Sequence, residues 1–406
     1  MHKVNLKRSF RLRWIQSIAT TTVIAALLAG CNSTKLGSPP SPKQPGNYWK
    51  VVLVSHTTAL ESIACPDAQD CIAGGMALSS AGGYAQDQLA ASGAVFLTTD
   101  AWKSSTIVPE SRKITAVACP AAQRCIAIEA GSSSVPWSTL IFSKSGGKWI
   151  NAATYLAGPS GALSISCVNV NVCASVGEIQ SPLSQGQYSY GFNAFLTDNG
   201  GVQWESVPIP PEIQPTSISC TITGYCMSVG RVAGAPSDAV AMASNDSGRT
   251  WTTSGQETLV NTALRSVTCV AIRTCIAVGS GGKLQAVWAT SNNGGSSWKM
   301  FAVDGSKFSS LDSVSCLGKT SQCVAEGDLP ASDAKGGLMN INLSDNSWSE
   351  IELPNGTPAL DSPEFMLTLS IGITCVSPSA CFGEMPGGGP TKMGVPSSWY
   401  ILAGGN

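Results

Sequence analysis

The stretch Ser62-Ile63-Ala64-Cys65-Pro66-Asp67-Ala68-Gln69-Asp70-Cys71-Ile72-Ala73 is the first of seven similar segments in this chain of 406 residues. Each segment has a short alternating run that ends in a cysteine, and a second cysteine follows six or seven residues later. The pairs are Cys65 and Cys71, Cys119 and Cys125, Cys167 and Cys173, Cys220 and Cys226, Cys269 and Cys275, Cys316 and Cys323, and Cys375 and Cys381. A unit that recurs about every 50 residues indicates a β-propeller or another repeat array.

Each unit can be interpreted as four short strands. The first alternates apolar and small residues, as in Ser164–Cys167, and the second starts at the second cysteine, as in Cys226–Gly230. The third is apolar and ends in a polar turn, as in Ala239–Ala243, and the fourth begins at a tryptophan. These tryptophans are Trp102, Trp149, Trp204, Trp251, Trp298 and Trp348. We therefore expect an all-β protein built from antiparallel four-stranded units.

The turn before the tryptophan resembles the Asp-box (Ser-x-Asp-x-Gly-x-Thr-Trp) of the BNR repeats in sialidase-like propellers. Ser244–Trp251 matches it, Ser291–Trp298 has Asn in place of Asp, and Thr197–Trp204 matches loosely. The degenerate copies are Thr99–Trp102, Ser145–Trp149 and Asp345–Trp348. In such a turn a short polar side chain bonds backbone amides and glycine supplies a positive φ. The resemblance implies that each unit is a propeller blade.

The seventh unit has no fourth strand of its own. After Cys375 and Cys381 one more strand-like stretch, Ser398–Asn406, follows. We expect Asn47–Leu53 to supply the missing strand, because closing the ring hides the open edges of the first and last blades. The sequence therefore predicts a seven-bladed β-propeller of four-stranded antiparallel blades over residues 47–406, with the last blade closed by the N-terminal strand.

The N-terminus has the pattern of an export signal. Five basic residues precede an apolar run, Val23–Ala29, which is shorter than the ~20 residues of a membrane-spanning helix. The run ends in Leu28-Ala29-Gly30-Cys31, which resembles the bacterial lipobox, where the cysteine is lipidated after cleavage. The resemblance implies a lipoprotein signal peptide (1–30), a lipidated Cys31 with a Pro-rich tether (31–46), and anchoring at the extracytoplasmic face of the cell membrane. An uncleaved helical anchor is the alternative.

Two uses of the paired cysteines compete, namely disulfides across a hairpin and thiolate chemistry with a metal or a redox partner. An exported compartment favours disulfides, so we expect seven of them within the pairs named above, with no metal and no cofactor.

Removal of the signal leaves 19 basic and 25 acidic side chains, a net charge of −6. This mildly acidic balance argues against binding to nucleic acid.

Ligand-binding residues are expected on the face opposite the cysteine hairpins. That face carries the long and dissimilar loops, and variable loops on a rigid ring are common binding sites. The expected loops are Gly75–Gly93, Glu178–Gly191, Arg231–Ser237, Asp328–Gly337 and Pro386–Ser397. The candidate residues are Tyr84, Glu129, Trp137, Glu178, Tyr188, Tyr190, Arg231, Asp304, Asp328 and Lys392.

Catalytic motifs are weak in this sequence. Glu326 and Glu384 replace a residue that is valine in three other blades, and such a pair is the weak candidate for catalysis. The alternative is two acids at strand ends bonded to nearby amides. Sialidases use an arginine triad, a tyrosine nucleophile with a glutamate, and an aspartate acid/base, and only six arginines follow the signal. The one histidine after the signal, His56, disfavours Ser-His-Asp and histidine–metal sites.

We therefore expect a non-catalytic surface lipoprotein whose propeller binds an envelope protein or a glycan. A glycoside hydrolase, sialidase-like or with a carboxylate pair, is the alternative, since Asp and Glu alone suffice for that chemistry. Two carboxyl groups about 5–9 Å apart beside exposed aromatic rings would favour the hydrolase. The expected partners are thus the membrane, through the lipid anchor, and a protein or glycan, but no nucleic acid.

Overall fold

The computed structural model describes residues 50–54, 57–78, 91–131, 135–182, 188–254, 259–282, 285–317, 320–330, 336–352, 372–377, 380–390 and 396–404. These residues form seven antiparallel sheets of four strands each. None of them is helical, so the described part of the chain holds no helix able to span a membrane. The predicted all-β, seven-bladed architecture is confirmed.

The strands follow the repeat in chain order. Strand β1 (Lys50–Val54) belongs to the last blade. Blade 1 contains β2 (Thr57–Ala64), β3 (Cys71–Leu78), β4 (Ala91–Thr98) and β5 (Thr106–Glu110). Blade 2 contains β6 (Ile114–Ala121), β7 (Arg124–Glu129), β8 (Ser138–Ser145) and β9 (Lys148–Ala157). Blade 3 contains β10 (Ala162–Cys167), β11 (Cys173–Pro182), β12 (Tyr188–Thr197) and β13 (Glu205–Val207).

The remaining blades repeat this order. Blade 4 contains β14 (Ile213–Cys220), β15 (Cys226–Val232), β16 (Ala235–Ser244) and β17 (Thr252–Ser254). Blade 5 contains β18 (Thr262–Ala271), β19 (Thr274–Gly281), β20 (Gln285–Ser291) and β21 (Lys299–Ala302). Blade 6 contains β22 (Ser313–Cys316), β23 (Gln322–Asp328), β24 (Gly336–Asn342) and β25 (Ser347–Ile351). Blade 7 contains β26 (Ile373–Ser377), β27 (Ala380–Pro390), β28 (Pro396–Gly404) and β1.

Strand exchange between the two ends of the chain closes the ring. Strand β1 pairs antiparallel with β28, from Lys50 opposite Ala403 to Val54 opposite Trp399. The last blade thus has the predicted composition, with the strand order β26-β27-β28-β1. Trp49, which belongs to the predicted strand, lies outside the described residues.

The first strand of each blade lies innermost, and serine side chains join these strands across the blade boundaries. Ser219 Oγ, for example, accepts a hydrogen bond from the Cys269 amide at 3.0 Å. The same bond joins Ser62 to Val117, Ser164 to Ile218, Ser166 to Cys220, Ser217 to Val267, Ser266 to Val314, Ser313 to Ile373 and Ser315 to Cys375. Each hydroxyl thus satisfies an amide at the free edge of the next sheet. This explains the Ser-x-Ser-Cys pattern.

The apolar core lies between neighbouring blades rather than at the centre of the ring. Between blades 5 and 6, for example, Ile276 and Trp288 pack with Val314, Met339 and Ile341, all of them buried. The alternating apolar residues of one sheet therefore cover the facing side of the next sheet.

All seven predicted disulfides are present, so these cysteines have no thiolates for metal or redox chemistry. Each one joins the end of a first strand to the start of the second, with Cα atoms 3.9–4.1 Å apart. We call this side of the ring the cysteine face and the opposite side the open face. Because strands alternate in direction, the third-to-fourth turns also lie on the cysteine face.

The turn at Ser244–Trp251 is held by its own side chains. Ser244 Oγ accepts from the Gly248 amide at 2.8 Å, and Asp246 Oδ1 accepts from the Thr250 amide at 2.9 Å. Burial opposes ionisation of Asp246, but the bonds from Thr250 and Ser244 lower its pKa on balance. Gly248 has a φ of +92°, the conformation for which glycine is suited.

Blade 1 forms the same turn from a different set of residues. The Trp102 amide donates to Thr98 Oγ1 at 3.1 Å, and the Ser104 amide donates to Asp100 Oδ1 at 2.9 Å. Trp102 therefore occupies the glycine position, with a φ of +65°, and it does not begin the fourth strand. That strand starts at Thr106, so the predicted strand start at Trp102 was wrong.

Several of the expected loops on the open face are strands. Strands β11 and β12 remain paired as far as Pro182 and Tyr188, so most of the expected loop Glu178–Gly191 is a long hairpin. Strands β27 and β28 likewise pair as far as Pro390 and Pro396. The pairing continues because the two strands satisfy each other's backbone amides and carbonyls, even where the other strands of the blade have ended.

Candidate functional site

Inner strands of the ring carry a β-bulge near their open-face ends, where the central channel of a propeller opens. In blades 1 to 5 the bulge falls four residues before the first cysteine, and the register of the first two strands shifts there. Bulges re-aim side chains and are common next to binding sites. We call these residues, with the equivalent one in blade 6, the mouth ring. The mouth ring consists of Glu61, Thr115, Leu163, Thr216, Arg265 and Asp312.

A glycine in the second strand makes room for the bulge. A Cβ on Gly279 would lie 1.9 Å from the Ala263 carbonyl oxygen, and one on Gly230 would lie 2.0 Å from that of Gln214. The same close approach occurs at Gly75, Gly177 and Gly327. In these five blades, 1 and 3 to 6, the glycine stands four residues after the second cysteine. Blade 2 has Glu129 at that position and still bulges, so the spacing Cys-x3-Gly accompanies the bulge in blades 1, 3, 4 and 5.

On one side of the mouth, blades 1 and 2 are joined by an ion pair. Lys113 Nζ lies 3.2 Å from Glu61 Oε1, and the lysine side chain is the more exposed of the two, at 39% against 16%. The acid is therefore turned into the seam while the ammonium group faces solvent.

A second ion pair uses the residue that precedes Lys113 in the chain. Arg112 Nη2 lies 2.6 Å from Glu129 Oε2, and Glu129 Oε1 accepts from the Arg112 amide at 3.0 Å and from Ser111 Oγ at 2.9 Å. Glu129 is completely buried, so it anchors the connection between blades 1 and 2. The neighbouring Glu110 is also buried, with 6% of its surface exposed. Burial, and then the negative charge of Glu129, raise the pKa of Glu110 to about 7.

On the other side of the mouth, Arg265 pairs with Asp312 across blades 5 and 6. The arginine side chain is 43% exposed and the aspartate only 6%, the same arrangement as at Lys113 and Glu61. Burial raises the pKa of Asp312 to about 6, Arg265 opposes the rise, and the nearby charge of Asp328 adds to it. Asp328 itself accepts a hydrogen bond from Ser310 Oγ at 3.0 Å.

Between these two charged groups the mouth is neutral. Leu163 is an exposed leucine on an inner strand, with 48% of its surface accessible. Thr216 turns its hydroxyl to the Leu264 and Val229 carbonyls, each at 3.1 Å. The mouth therefore combines an exposed aliphatic side chain with two exposed cations, Lys113 and Arg265.

The candidate residues are spread over the open face rather than gathered in one site. Arg231 is exposed on β15, and Glu178 is half-buried on β11. Trp137 packs against the core between blades 2 and 3. Asp304 is exposed, and bonds from Ser306 lower its pKa. Tyr188 and Tyr190 belong to β12, but their side chains, together with all of Tyr84 and Lys392, lie outside the described residues.

Glu326 occupies the valine position as expected and lies in the seam between blades 6 and 7. It is 1% exposed, and its backbone carbonyl accepts from the Asp312 amide at 2.8 Å. A Cβ on Gly383 of blade 7 would lie 3.4 Å from Glu326 Oε2. The side chain of Glu384 lies outside the described residues, so catalysis by this pair stays a prediction.

The sequence interpretation named none of the six mouth-ring residues as a candidate. Its positions hold Glu, Thr, Leu, Thr, Arg and Asp, so no shared residue type marks them. The signal that could have located them is the recurring Cys-x3-Gly, which places a residue without a side chain opposite the bulge.

A cavity of about 610 Å³ lies outside the mouth, on the flank of blade 3. It is lined by Ala157, Leu196, Asp198, Gln203, Trp204, Glu205, Val207 and Arg249. Among the described residues, no group of three or more His, Cys, Asp or Glu side chains could hold a metal ion.

Solved structures of other β-propellers are similar to this chain. A YCF48 bound to D1 peptide has a TM-score of 0.56 at 10% identity, covering 89% of this chain and 97% of the other. YCF48 from Cyanidioschyzon merolae has a TM-score of 0.50 at 12% identity, covering 87% and 98%. The NanB sialidase from Streptococcus pneumoniae has a TM-score of 0.44 at 11% identity, covering 86% and 69%. No family model and no curated protein matches this sequence. At these identities what the chain shares with YCF48 is the β-propeller fold.

Proposed function

We propose that this protein is an exported, lipid-anchored binding protein that holds an extended segment of an envelope protein at the mouth of its channel. The observation that carries the proposal is the mouth of the channel, where the exposed Leu163 lies between two exposed cations, Lys113 and Arg265, on a rigid frame. Apolar anchors surrounded by polar groups are typical of protein recognition.

Two further observations support a protein segment as the ligand. On the open face the β11–β12 and β27–β28 hairpins continue past the start of the first strand of their blades, and a chain can lie between such walls. A propeller of the same fold, YCF48, has been solved with the D1 peptide bound, so the fold can accommodate a peptide.

The export signal and the lipobox-like Leu28–Cys31 support the proposed location on the extracytoplasmic face of the membrane. The seven disulfides support it independently, since such bonds persist in oxidising compartments. The Asp-box resemblance supports a place among the BNR-type propellers.

The proposal is tested by placing the photocrosslinking residue p-benzoylphenylalanine at the mouth. The matched positions are Leu163 on the open face and Ile222 on the cysteine face, both exposed aliphatic residues. After irradiation in the native membrane we expect a protein adduct at Leu163 and none at Ile222. A peptide copied from the crosslinked segment should then bind the purified protein, and Leu163→Asp should abolish this binding. If that peptide binds the Leu163→Asp variant as well as the wild type, the mouth is not the site.

A glycan is the second candidate ligand, and the cavity on blade 3 favours it. Leu196 and Val207 form an apolar floor, Trp204 is partly exposed, and Asp198 and Arg249 stand exposed at the rim. A neutral sugar suits this lining, because its apolar face can stack on an indole while its hydroxyls bond to both charged groups.

Blade 2 offers a matched control for a test of the glycan. Trp204 Nε1 donates to Thr139 Oγ1 at 3.0 Å, and Trp149 Nε1, one blade earlier, donates to the Thr98 backbone carbonyl at 3.2 Å. We expect neutral oligosaccharides to perturb the indole signal of Trp204 in NMR spectra and to bind the Trp149→Ala variant but not the Trp204→Ala variant. Equal binding to both variants would exclude the cavity as the sugar site.

A further inference from the structure

The cysteine face carries exposed aliphatic side chains on three adjacent blades. The hairpin tips of blades 3, 4 and 5 present Val170, Ile222 and Ile272, whose exposed fractions are 41%, 79% and 58%. Val202, in the third-to-fourth turn of blade 3, is 44% exposed. The corresponding tips of blades 1 and 2 carry alanine and polar residues. Aliphatic residues grouped on one part of a surface indicate a contact with an apolar partner.

These tips are held rigidly. A disulfide closes the base of each hairpin, and a backbone hydrogen bond ties the tip to the third-to-fourth turn of the same blade. The bonds join the Gly200 amide to Asn171, the Ser247 amide to Gly224, and the Gly294 amide to Arg273, at 2.8, 2.8 and 3.0 Å. The aliphatic side chains therefore stand at fixed positions, and little conformational entropy is lost when a partner covers them.

The chain enters the propeller on this same face. Strand β1 begins at Lys50 opposite Ala403, next to the end of β28, where Gly404 pairs with Cys381 of the last disulfide. The proposed lipid on Cys31 is thus followed by 18 residues and then by the cysteine face. Blade 7, which receives this connection, lies across the ring from blade 4.

The tether alone does not orient the domain. A chain of eighteen residues can reach up to about 60 Å when fully extended, so an anchor at its far end does not by itself fix an orientation. A second contact at the aliphatic tips of blades 3 to 5 would, with the tether at blade 7, define a plane. The cysteine face would then lie along the bilayer.

We propose that the aliphatic tips Val170, Ile222 and Ile272 enter the interfacial layer of the membrane that carries the lipid anchor, so that the open face points away from it. This inference rests on the proposed lipid anchor. Shallow insertion of apolar side chains beside basic ones is a common mode of interfacial binding, and Arg249 and Arg273 are exposed in the turns next to these tips.

The test uses the full-length lipidated protein in phosphatidylcholine vesicles, with p-benzoylphenylalanine placed singly at Ile222, Ala122 or Leu163. Ala122 is an exposed tip residue of blade 2 on the same face, and Leu163 lies on the open face. Mass spectrometry then measures covalent lipid adducts at each position. We expect a clear adduct at Ile222, less at Ala122 and none above background at Leu163. Because all three residues are exposed, the substitutions should leave thermal unfolding unchanged, and this is checked for each.

The remaining outcomes separate this inference from the anchor on which it rests. If the protein floats with the vesicles but gives equal adducts, or none, at Ile222 and Leu163, the orientation is wrong and the anchor stands. A crosslink from Ile222 to another protein or to a second copy also overturns the inference, since the tips would then be a protein interface. If the wild-type protein does not float, or the Cys31→Ala variant floats equally well, the lipid anchor fails and the inference with it.

Discussion

Replacement of Gly279 by alanine should destabilise the protein strongly, although glycine-to-alanine changes in strands are usually harmless or favourable. The new Cβ would lie 1.9 Å from the Ala263 carbonyl oxygen and 2.9 Å from Leu264 Cα, both of them backbone atoms. An ordinary contact needs about 3.5 Å, so strand β18 would have to withdraw by about 1.5 Å. That movement would break the pairing of Leu264 with Gly279 and shift the bulge that carries Arg265.

The cost can be worked out from these two effects. Overpacking of a rigid site costs about 1–3 kcal/mol, and a lost ladder hydrogen bond adds about 1 kcal/mol. We therefore expect Gly279→Ala to lower the free energy of unfolding by about 3 kcal/mol. The control is Gly282→Ala in the same hairpin, where no atom lies within 4 Å of the added Cβ. That variant should keep the wild-type stability or gain up to about 1 kcal/mol, because the unfolded chain loses freedom.

The assay is equilibrium unfolding in urea with the disulfides intact, followed by circular dichroism. The dependence of the free energy on urea concentration should be the same for all three proteins, because a change in slope would signal partial unfolding instead. If Gly279→Ala unfolds at the same urea concentration as Gly282→Ala, the first strand does not approach the second as closely as described, and the bulge does not need a glycine.

Three further outcomes are expected from the same assay. Ser219→Ala removes the acceptor for the Cys269 amide and should lower stability by about 1 kcal/mol; no change would mean that water replaces the bond equally well. Glu110 has a pKa raised from 4.5 to about 7, so the folded state keeps its proton longer and stability falls as pH rises through that range, by at most about 3 kcal/mol because solvent screens part of the effect. Glu110→Gln should remove this fall, and an unchanged pH profile would contradict it. Replacing Cys220 and Cys226 together by alanine should cost about 2 kcal/mol, because the disulfide closes only a short loop; a loss of all folded protein would show that the staple does more than restrict the unfolded chain.

The elements that the sequence predicted correctly share a physical property, since each is specified locally. A cysteine pair six residues apart can bridge a tight hairpin, and alternation such as Ser164–Cys167 assigns the two sides of a strand. The closure by β1 was predictable for a related reason, because a four-stranded repeat with a missing strand must find it elsewhere.

The features that were missed depend on contacts between blades or on backbone geometry. Ser166 and Ser219 were interpreted only as the small residues of an alternating strand, whereas they accept hydrogen bonds from the next blade. Their partners are more than 45 residues away in sequence, so no local pattern reveals them. Trp102 was assigned to the start of the fourth strand by analogy with the other tryptophans, yet the hydrogen bonds at Thr98 and Asp100 are those of the intact turns.

The two faces of the ring differ because different forces hold them. On the cysteine face each blade is closed by covalent and hydrogen bonds within itself, so that face is the same in outline from blade to blade and can vary only at its tips. On the open face four of the five bulges lie opposite a glycine, which holds the backbone and leaves the bulged side chain free to differ. Evolution of such a protein can therefore change the mouth residues, from Leu163 to Arg265, without disturbing the frame. A ligand site at the mouth and a constant contact on the cysteine face are the arrangement that this difference favours.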